Sequence, residues 1–232
     1  MFGDNPNRPQ ELNDGMNLWV QEVFYTLQGE GPFSGHPAVF VRLAGCNLSC
    51  YWCDTEFESS TWRPCLDELL TNIEASRPIS CDLIVITGGE PFRQNIAPLV
   101  GRLLGLEPHL RVQIETNGTL FVDLPLSDRL HIVCSPKTAH LNAKLVERID
   151  SYKYVLAAGQ TDSVDGLPVC STQKAGRSER LARPLGTASV YVLPLDSYDP
   201  ETNARNRQEC VQIALKHGYR LTLQTHKIIG VS

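Results

Sequence analysis

Short apolar runs rich in β-branched residues, alternating with stretches of helical period, constrain this chain more than any other feature. The runs at 18–25, 38–44, 82–87, 110–115, 130–134, 152–157, 188–193 and 220–224 are mostly bounded by Gly, Pro or Asn, as strands are. Helical patterns lie near 65–75, 94–105, 140–149 and 200–217. In the last of these, Cys210, Val211, Ile213, Ala214 and Leu215 predict a buried stripe. Strand–helix alternation predicts an α/β fold, a largely parallel sheet with helices outside it. Residues 158–187, rich in Gly, Ser, Thr and Arg and without periodicity, predict a long mobile loop. Residues 1–17 read as a flexible polar tail and 18–232 as a single domain, with no internal repeat.

The unusual polar residues fall at strand ends. A cysteine cluster at 46–53 follows the run 38–44, Gly88-Gly89-Glu90-Pro91 follows 82–87, and Glu115-Thr116-Asn117-Gly118 closes 110–115. Ser135-Pro136-Lys137, Leu193-Pro194 and Gln224-Thr225-His226-Lys227 follow or close three later runs. In a parallel barrel the C-terminal ends of strands converge on one mouth, where such folds place their chemistry.

Composition excludes several classes. With 232 residues, a formal net charge of −5 and no run of Lys or Arg, the chain has no electrostatic basis for binding nucleic acid. No apolar stretch approaches the roughly 18 residues of a membrane span, and the N-terminus lacks a signal-peptide pattern, so a soluble cytoplasmic protein is expected. Without a secretion signal the eight cysteines do not read as a disulfide framework. Cys81 and Cys134, beside or within apolar runs, read as buried small hydrophobes.

Cys46, Cys50 and Cys53 differ, since they offer three thiolates within one loop. Soft thiolates suit an iron–sulfur cluster or zinc. A structural zinc site takes four ligands and usually pairs two knuckles, so a zinc-binding interaction module would need a distant fourth ligand here. Three ligands on a four-iron cubane leave one iron open for the amino and carboxylate groups of a cofactor.

The segment 46–53, CNLSCYWC, with aromatic Trp52 before its last cysteine, resembles the CxxxCxΦC signature of radical S-adenosylmethionine enzymes. Gly88–Pro91 is similar to the GGEP strand end of that superfamily. Leu27-Gln28-Gly29-Glu30-Gly31, Cys53-Asp54-Thr55 and Gln224–Lys227 together resemble the 7-carboxy-7-deazaguanine synthase family, a match running from about Gln21 onward. That resemblance implies a shortened, incomplete (β/α) TIM-like barrel of the radical S-adenosylmethionine type. It implies the ring contraction of 6-carboxy-5,6,7,8-tetrahydropterin to 7-carboxy-7-deazaguanine with loss of ammonia, on the route to queuosine. It also implies Mg²⁺, a reducing flavoprotein such as flavodoxin, and a homodimer.

Carried over residue by residue, the resemblance puts a [4Fe–4S] cluster on Cys46, Cys50 and Cys53 and Mg²⁺ on Thr55. Leu27, Gln28, Gly29, Glu30, Arg42, Thr87, Glu115 and His226 would contact substrate, with the Arg42 fork on its carboxylate and the terminal Ser232 close by. Trp52, Cys53, Asp54, Gly89, Ser135, Pro136, Lys137, Leu193 and Pro194 would hold S-adenosylmethionine. Leu193–Asp196 departs from the Gln-Pro pattern of that strand, which leaves its cofactor contacts open. On chemistry alone, Leu27–Gly31 also reads as a glycine turn and Asp54-Thr55 as a turn cap. A glycyl-radical-enzyme activase shares the cysteine triad but would not require Leu27–Gly31 or Gln224–Lys227.

Overall fold

The computed structural model describes residues 5–231. Its strands form one sheet in chain order: β1 (Val20–Leu27), β2 (Pro37–Leu43), β3 (Leu83–Gly88), β4 (Arg111–Thr116), β5 (Leu130–Cys134), β6 (Ser151–Leu156), β7 (Ser189–Pro194) and β8 (Arg220–Leu221). From β2 to β8 every neighbouring pair is parallel, whereas β1 runs antiparallel to β2. Among the described residues β1 and β8 do not pair with each other, so the barrel stays open.

Parallel neighbours need crossovers on the sheet's outer face. Two of these carry α1 (Leu66–Ser76) and α2 (Ala97–Leu106), and later ones carry α3 (Ala143–Val146) and α4 (Pro200–His217). Helix α1 buries Leu66, Leu69, Leu70 and Ile73 at helical spacing, and Asp67 and Glu68 meet the positive end of its dipole. Ile84, Val85 and Ile86 in β3 are all fully buried, because helices cover one face and the barrel interior the other. Cys81 and Cys134 are buried within this apolar core, as expected. No helix among the described residues is long and apolar enough to cross a membrane.

Several expectations are corrected. Helix α4 starts at the Asp199 cap, which accepts from Thr202 N at 2.8 Å, and stops at Gly218 in the left-handed region (φ 71°). It buries Asn206, Cys210, Ile213 and Ala214, while Val211 and Leu215 point outward, one step round the helix from that stripe. The helix expected over 140–149 is a single turn, because tight bonds from Arg148 N to Leu145 O and Ile149 N to Val146 O end it. Asp150 N then bonds Ile132 O and returns the chain to the sheet. Residues 158–187 are folded rather than free: Leu167 and Leu181 are buried, and Arg183 pairs with Asp165 at 2.8 Å. Of the expected tail, residues 5–17 are described; they lie along the loops after β2 and β3, with Arg8 N bonded to Cys46 O and Glu11 N to Arg93 O, both at 2.7 Å.

The final strand is also shorter than expected. Only Arg220–Leu221 count as β8, although Thr222 N still donates to Val192 O at 2.9 Å. The chain then turns into a last short helix, α5 (Thr225–Ile229), at the same end of the sheet as the cysteine loop.

Candidate active site

A cavity of about 500 Å³ opens at the C-terminal ends of the strands. Side chains alternate across a strand, so every second residue faces it: Phe24 and Thr26 from β1, Phe40 and Arg42 from β2, Lys153 and Val155 from β6. Thr87 and Glu115 enter from β3 and β4.

One wall is a group of charges round a buried lysine. Lys153 Nζ lies 2.7 Å from Glu30 Oε2 and 3.3 Å from Glu115 Oε1. Gln28 and Gln113 donate to the same Glu115 oxygen at 3.1 and 2.9 Å, and Gln224 Nε2 donates to Glu30 Oε1 at 2.9 Å. Burial alone would raise Glu30, but Lys153 attracts and hydrogen-bonds it, with help from Gln224, and holds it below the usual carboxylate range. Burial would likewise lower Lys153, and Glu115 and Glu30 outweigh it, so the ammonium is held above its ordinary value. One ammonium between two carboxylates leaves this wall with an excess of acceptors.

The opposite wall carries the thiols. Cys46 is buried, Cys50 and Cys53 are half-buried, and all three face the cavity. Burial pushes the Cys46 thiol up to about 12, and negative charge on Glu90, Cys50 and Cys53 adds to the rise. Burial and the Cys50 and Asp54 charges also raise Cys53. Among the described residues no three metal-ligating side chains stand close enough together for a single bare ion. Three soft donors that would repel one another as thiolates round a shared space fit a cationic iron–sulfur core, which relieves that repulsion.

Neighbouring elements brace this loop. Glu90, fully buried, accepts from Phe92 N at 3.0 Å and from Thr116 Oγ1 and Asn117 N at 2.7 Å, tying the end of β3 to that of β4. Burial pushes its carboxyl up to about 7 against those bonds. Gly88 has φ 141°, and a Cβ on Gly89 would strike the Gly45 carbonyl and Cys46, so the segment packs on the cysteine loop only as glycine. Lys137 Nζ donates to Ser135 Oγ at 2.6 Å and stands 5.1 Å over the Trp52 ring, with its pKa lowered by burial. Leu193 and Pro194 line the same side.

At the mouth, Asp54 Oδ2 receives Lys227 Nζ at 2.9 Å and Gln224 Nε2 at 3.4 Å, and Thr55 Oγ1 donates to Asp54 Oδ1 at 3.4 Å. Burial would raise the Asp54 carboxyl, but Lys227 and Gln224 hold it below its usual range. Arg42 donates from Nε to Glu22 Oε1 at 2.7 Å and lies 5.4 Å over the Phe24 ring, so its fork is partly engaged.

Most residues singled out in the sequence line this cavity: Leu27, Gln28, Glu30, Arg42, Thr87, Glu115 and His226 of the expected substrate contacts, and Cys46, Cys50, Trp52, Cys53, Asp54, Thr55, Gly89, Ser135, Lys137, Leu193 and Pro194 of the expected cluster, cofactor and metal contacts. Gly29 does not line it; it backs onto the His226 ring, where a Cβ would collide. Pro136 faces a smaller recess beside Trp52 and Lys137. Ser232 lies outside the described residues. Sequence reasoning missed Lys153, whose one signal is a lysine between Tyr152 and Tyr154 in an otherwise apolar run. Gln113, Thr172 and Gln173 were also missed, and nothing in their local sequence marks them.

No family model matches the chain. It is 58% identical to the 7-carboxy-7-deazaguanine synthase of Rhodospirillum rubrum over the full length of both chains. It is 37% identical to the enzyme of that name from Rickettsia prowazekii, over all of this chain and 96% of the relative. The crystal structure of QueE from Escherichia coli shares the fold with a TM-score of 0.65 at 24% identity, over 91% of this chain and 95% of that one.

Proposed function

The chain belongs to the 7-carboxy-7-deazaguanine synthase family, radical S-adenosylmethionine lyases of queuosine biosynthesis, and from that premise we propose how its own residues serve the reaction. The substrate is 6-carboxy-5,6,7,8-tetrahydropterin, which loses ammonia as its ring contracts to 7-carboxy-7-deazaguanine. One observation carries the assignment of roles: two carboxylates, Glu30 and Glu115, gathered round the buried Lys153 share a single cavity with the cysteine loop.

Cys46, Cys50 and Cys53 would hold the [4Fe–4S] cluster, with Gly89, Trp52, Asp54, Ser135, Lys137 and Pro194 around S-adenosylmethionine. When bound, that pair supplies one-electron cleavage of the cofactor and removal of a hydrogen atom from the substrate. Glu30, kept ionised by Lys153, and Glu115 accept from the pterin's N–H groups, with Gln28 and Thr87 donating to the Glu115 carboxylate and Gln224 to that of Glu30. Arg42 exchanges part of its contact with Glu22 for the substrate carboxylate. His226, with a pKa lowered by burial, closes the site from the C-terminal side as a neutral ring. Asp54, held ionised beside the Thr55 hydroxyl, suits a hard Mg²⁺ ion that takes its remaining ligands from substrate and water. A cytoplasmic homodimer reduced by a flavoprotein such as flavodoxin completes the proposal.

The test is anaerobic turnover of the reconstituted protein with 6-carboxytetrahydropterin, with and without Mg²⁺. Product 7-carboxy-7-deazaguanine, formed faster with Mg²⁺, is expected. A loaded enzyme that cleaves S-adenosylmethionine yet leaves the pterin unchanged would overturn the substrate assignment.

A further inference from the structure

The loop between β6 and β7 reaches back to the cysteines. Tyr51 N donates to the Thr172 carbonyl at 3.0 Å, and Ser49 N donates to Gln173 Oε1 at 2.9 Å. The same Gln173 amide group donates from Nε2 to Thr172 Oγ1 at 2.7 Å and to Cys50 Sγ at 3.1 Å. An NH₂ group has two protons, and these two acceptors use both. Thr172 Oγ1 gives its own proton to the Lys137 carbonyl at 2.9 Å. Once Cys50 is a thiolate it can donate nothing, and the Gln173 N–H remains as its side-chain partner.

The loop's own backbone fixes this tip. Ser171 N bonds Arg177 O and Glu179 N bonds Val169 O, both at 2.8 Å, and Ser171 and Thr172 are buried. Gln173 is therefore carried to Cys50 by a folded loop, not by its side chain alone. The Cys53 sulfur sits differently, 3.7 Å from the Thr55 carbonyl oxygen.

We infer that Gln173 positions the Cys50 sulfur and raises the reduction potential of the cluster through its N–H···S bond. The inference rests on the reading of Cys46, Cys50 and Cys53 as cluster ligands. Reduction adds negative charge that the ligand sulfurs share. A hydrogen-bond donor stabilises the reduced state more than the oxidised one, which shifts the potential upward. A carboxylate at the same place would do the reverse, while still accepting from Ser49 N.

The experiment is a potentiometric titration of the anaerobically reconstituted full chain without S-adenosylmethionine, followed by the electron paramagnetic resonance signal of the reduced cluster. Wild type, Gln173→Leu and Gln173→Glu are compared. A more negative midpoint is expected for the leucine variant and a still more negative one for the glutamate variant, at equal iron content. Should leucine lose the cluster, the glutamate variant decides, because it keeps the Ser49 bond. An unchanged midpoint, or loss of the cluster from both variants, overturns the tuning role. A wild-type chain that takes up no cluster overturns the ligand reading and this inference with it.

Discussion

The two walls of the cavity are held in different ways. The charged wall stands mainly on strands: Glu115 in β4 is in register with Val133 of β5, and Lys153 in β6 with Tyr191 of β7, while Glu30 sits on the turn after β1. The cysteine wall stands on a loop whose bonds go to other loops, from Arg8 N to Cys46 O, Gly45 N to Phe57 O and Tyr51 N to Thr172 O. Strand-borne groups are fixed by the same ladders that hold the core, so their charges are part of the fold's stability. The loop-borne sulfurs take part in little of that core. Damage to the first wall should therefore appear in stability as well as chemistry, and damage to the second in chemistry alone.

Cys50→Ala is the sharpest break of that contrast. Cluster uptake and turnover are expected to be abolished, while the cluster-free chain changes in stability by no more than about 1 kcal/mol. Iron analysis and urea denaturation check both halves. A cluster-free variant several kcal/mol weaker than wild type would erase the distinction between the walls.

Lys153→Met attacks the other wall. It leaves Glu30 and Glu115, 15% and 20% exposed, with no cation between them; removing one partner of a fully buried ion group costs about 3–5 kcal/mol, and a loss toward the lower end of that range is expected here. Loss of substrate turnover should accompany the loss of stability. The pH dependence separates charge from packing. The folded pKa of Glu30 is depressed, so its contribution is present above the unfolded value, near 4.3, and is lost as pH falls through the folded one. The folded pKa of Lys153 is raised, so its share is complete below the unfolded value, near 10.4, and fades only as pH rises through the folded one. The gap between wild type and variant should be widest near neutrality and narrow below about pH 4. A gap in urea denaturation that stays constant into acid would make the loss one of packing.

The same contrast explains what the sequence made legible. The runs that became β2, β3 and β4 stood out because strands covered on both faces are written in Val, Ile and Leu. Gln28, Glu30 and Glu115 stood out because each belongs to a short motif at a strand end, and Thr87 directly precedes one. Lys153 belongs to none, and its partners Glu30 and Glu115 are 123 and 38 residues away, so only the sheet's order brings them together. Gln173 lies in a stretch with no period to read, and its bond to Cys50 spans 123 residues. In α4, apolarity alone could not separate Cys210 and Ile213, which face the sheet, from Leu215, which does not. Local pattern locates the elements and the motifs at their ends. The partner across the cavity is set by topology.

The smallest expected effect lies where the two walls meet. Lys227 in α5 reaches Asp54 Oδ2 at 2.9 Å and Asp196 Oδ2 at 3.3 Å, and the Lys227 and Asp54 side chains are 31% and 33% exposed. Pairs open to solvent contribute roughly 0–1 kcal/mol, so Lys227→Ala should barely change stability. Its effect on the cation should be clearer, since Asp54 lies beside Thr55, the proposed Mg²⁺ position, and an ammonium on Asp54 competes with a metal for the same oxygen. Relief of about 1 kcal/mol of competition corresponds to about a fivefold lower Mg²⁺ concentration for half-maximal turnover. A Mg²⁺ titration of turnover reads this directly. An unchanged curve would remove Asp54 from the ion's surroundings and leave Lys227 as a tether of the last helix to the cysteine loop.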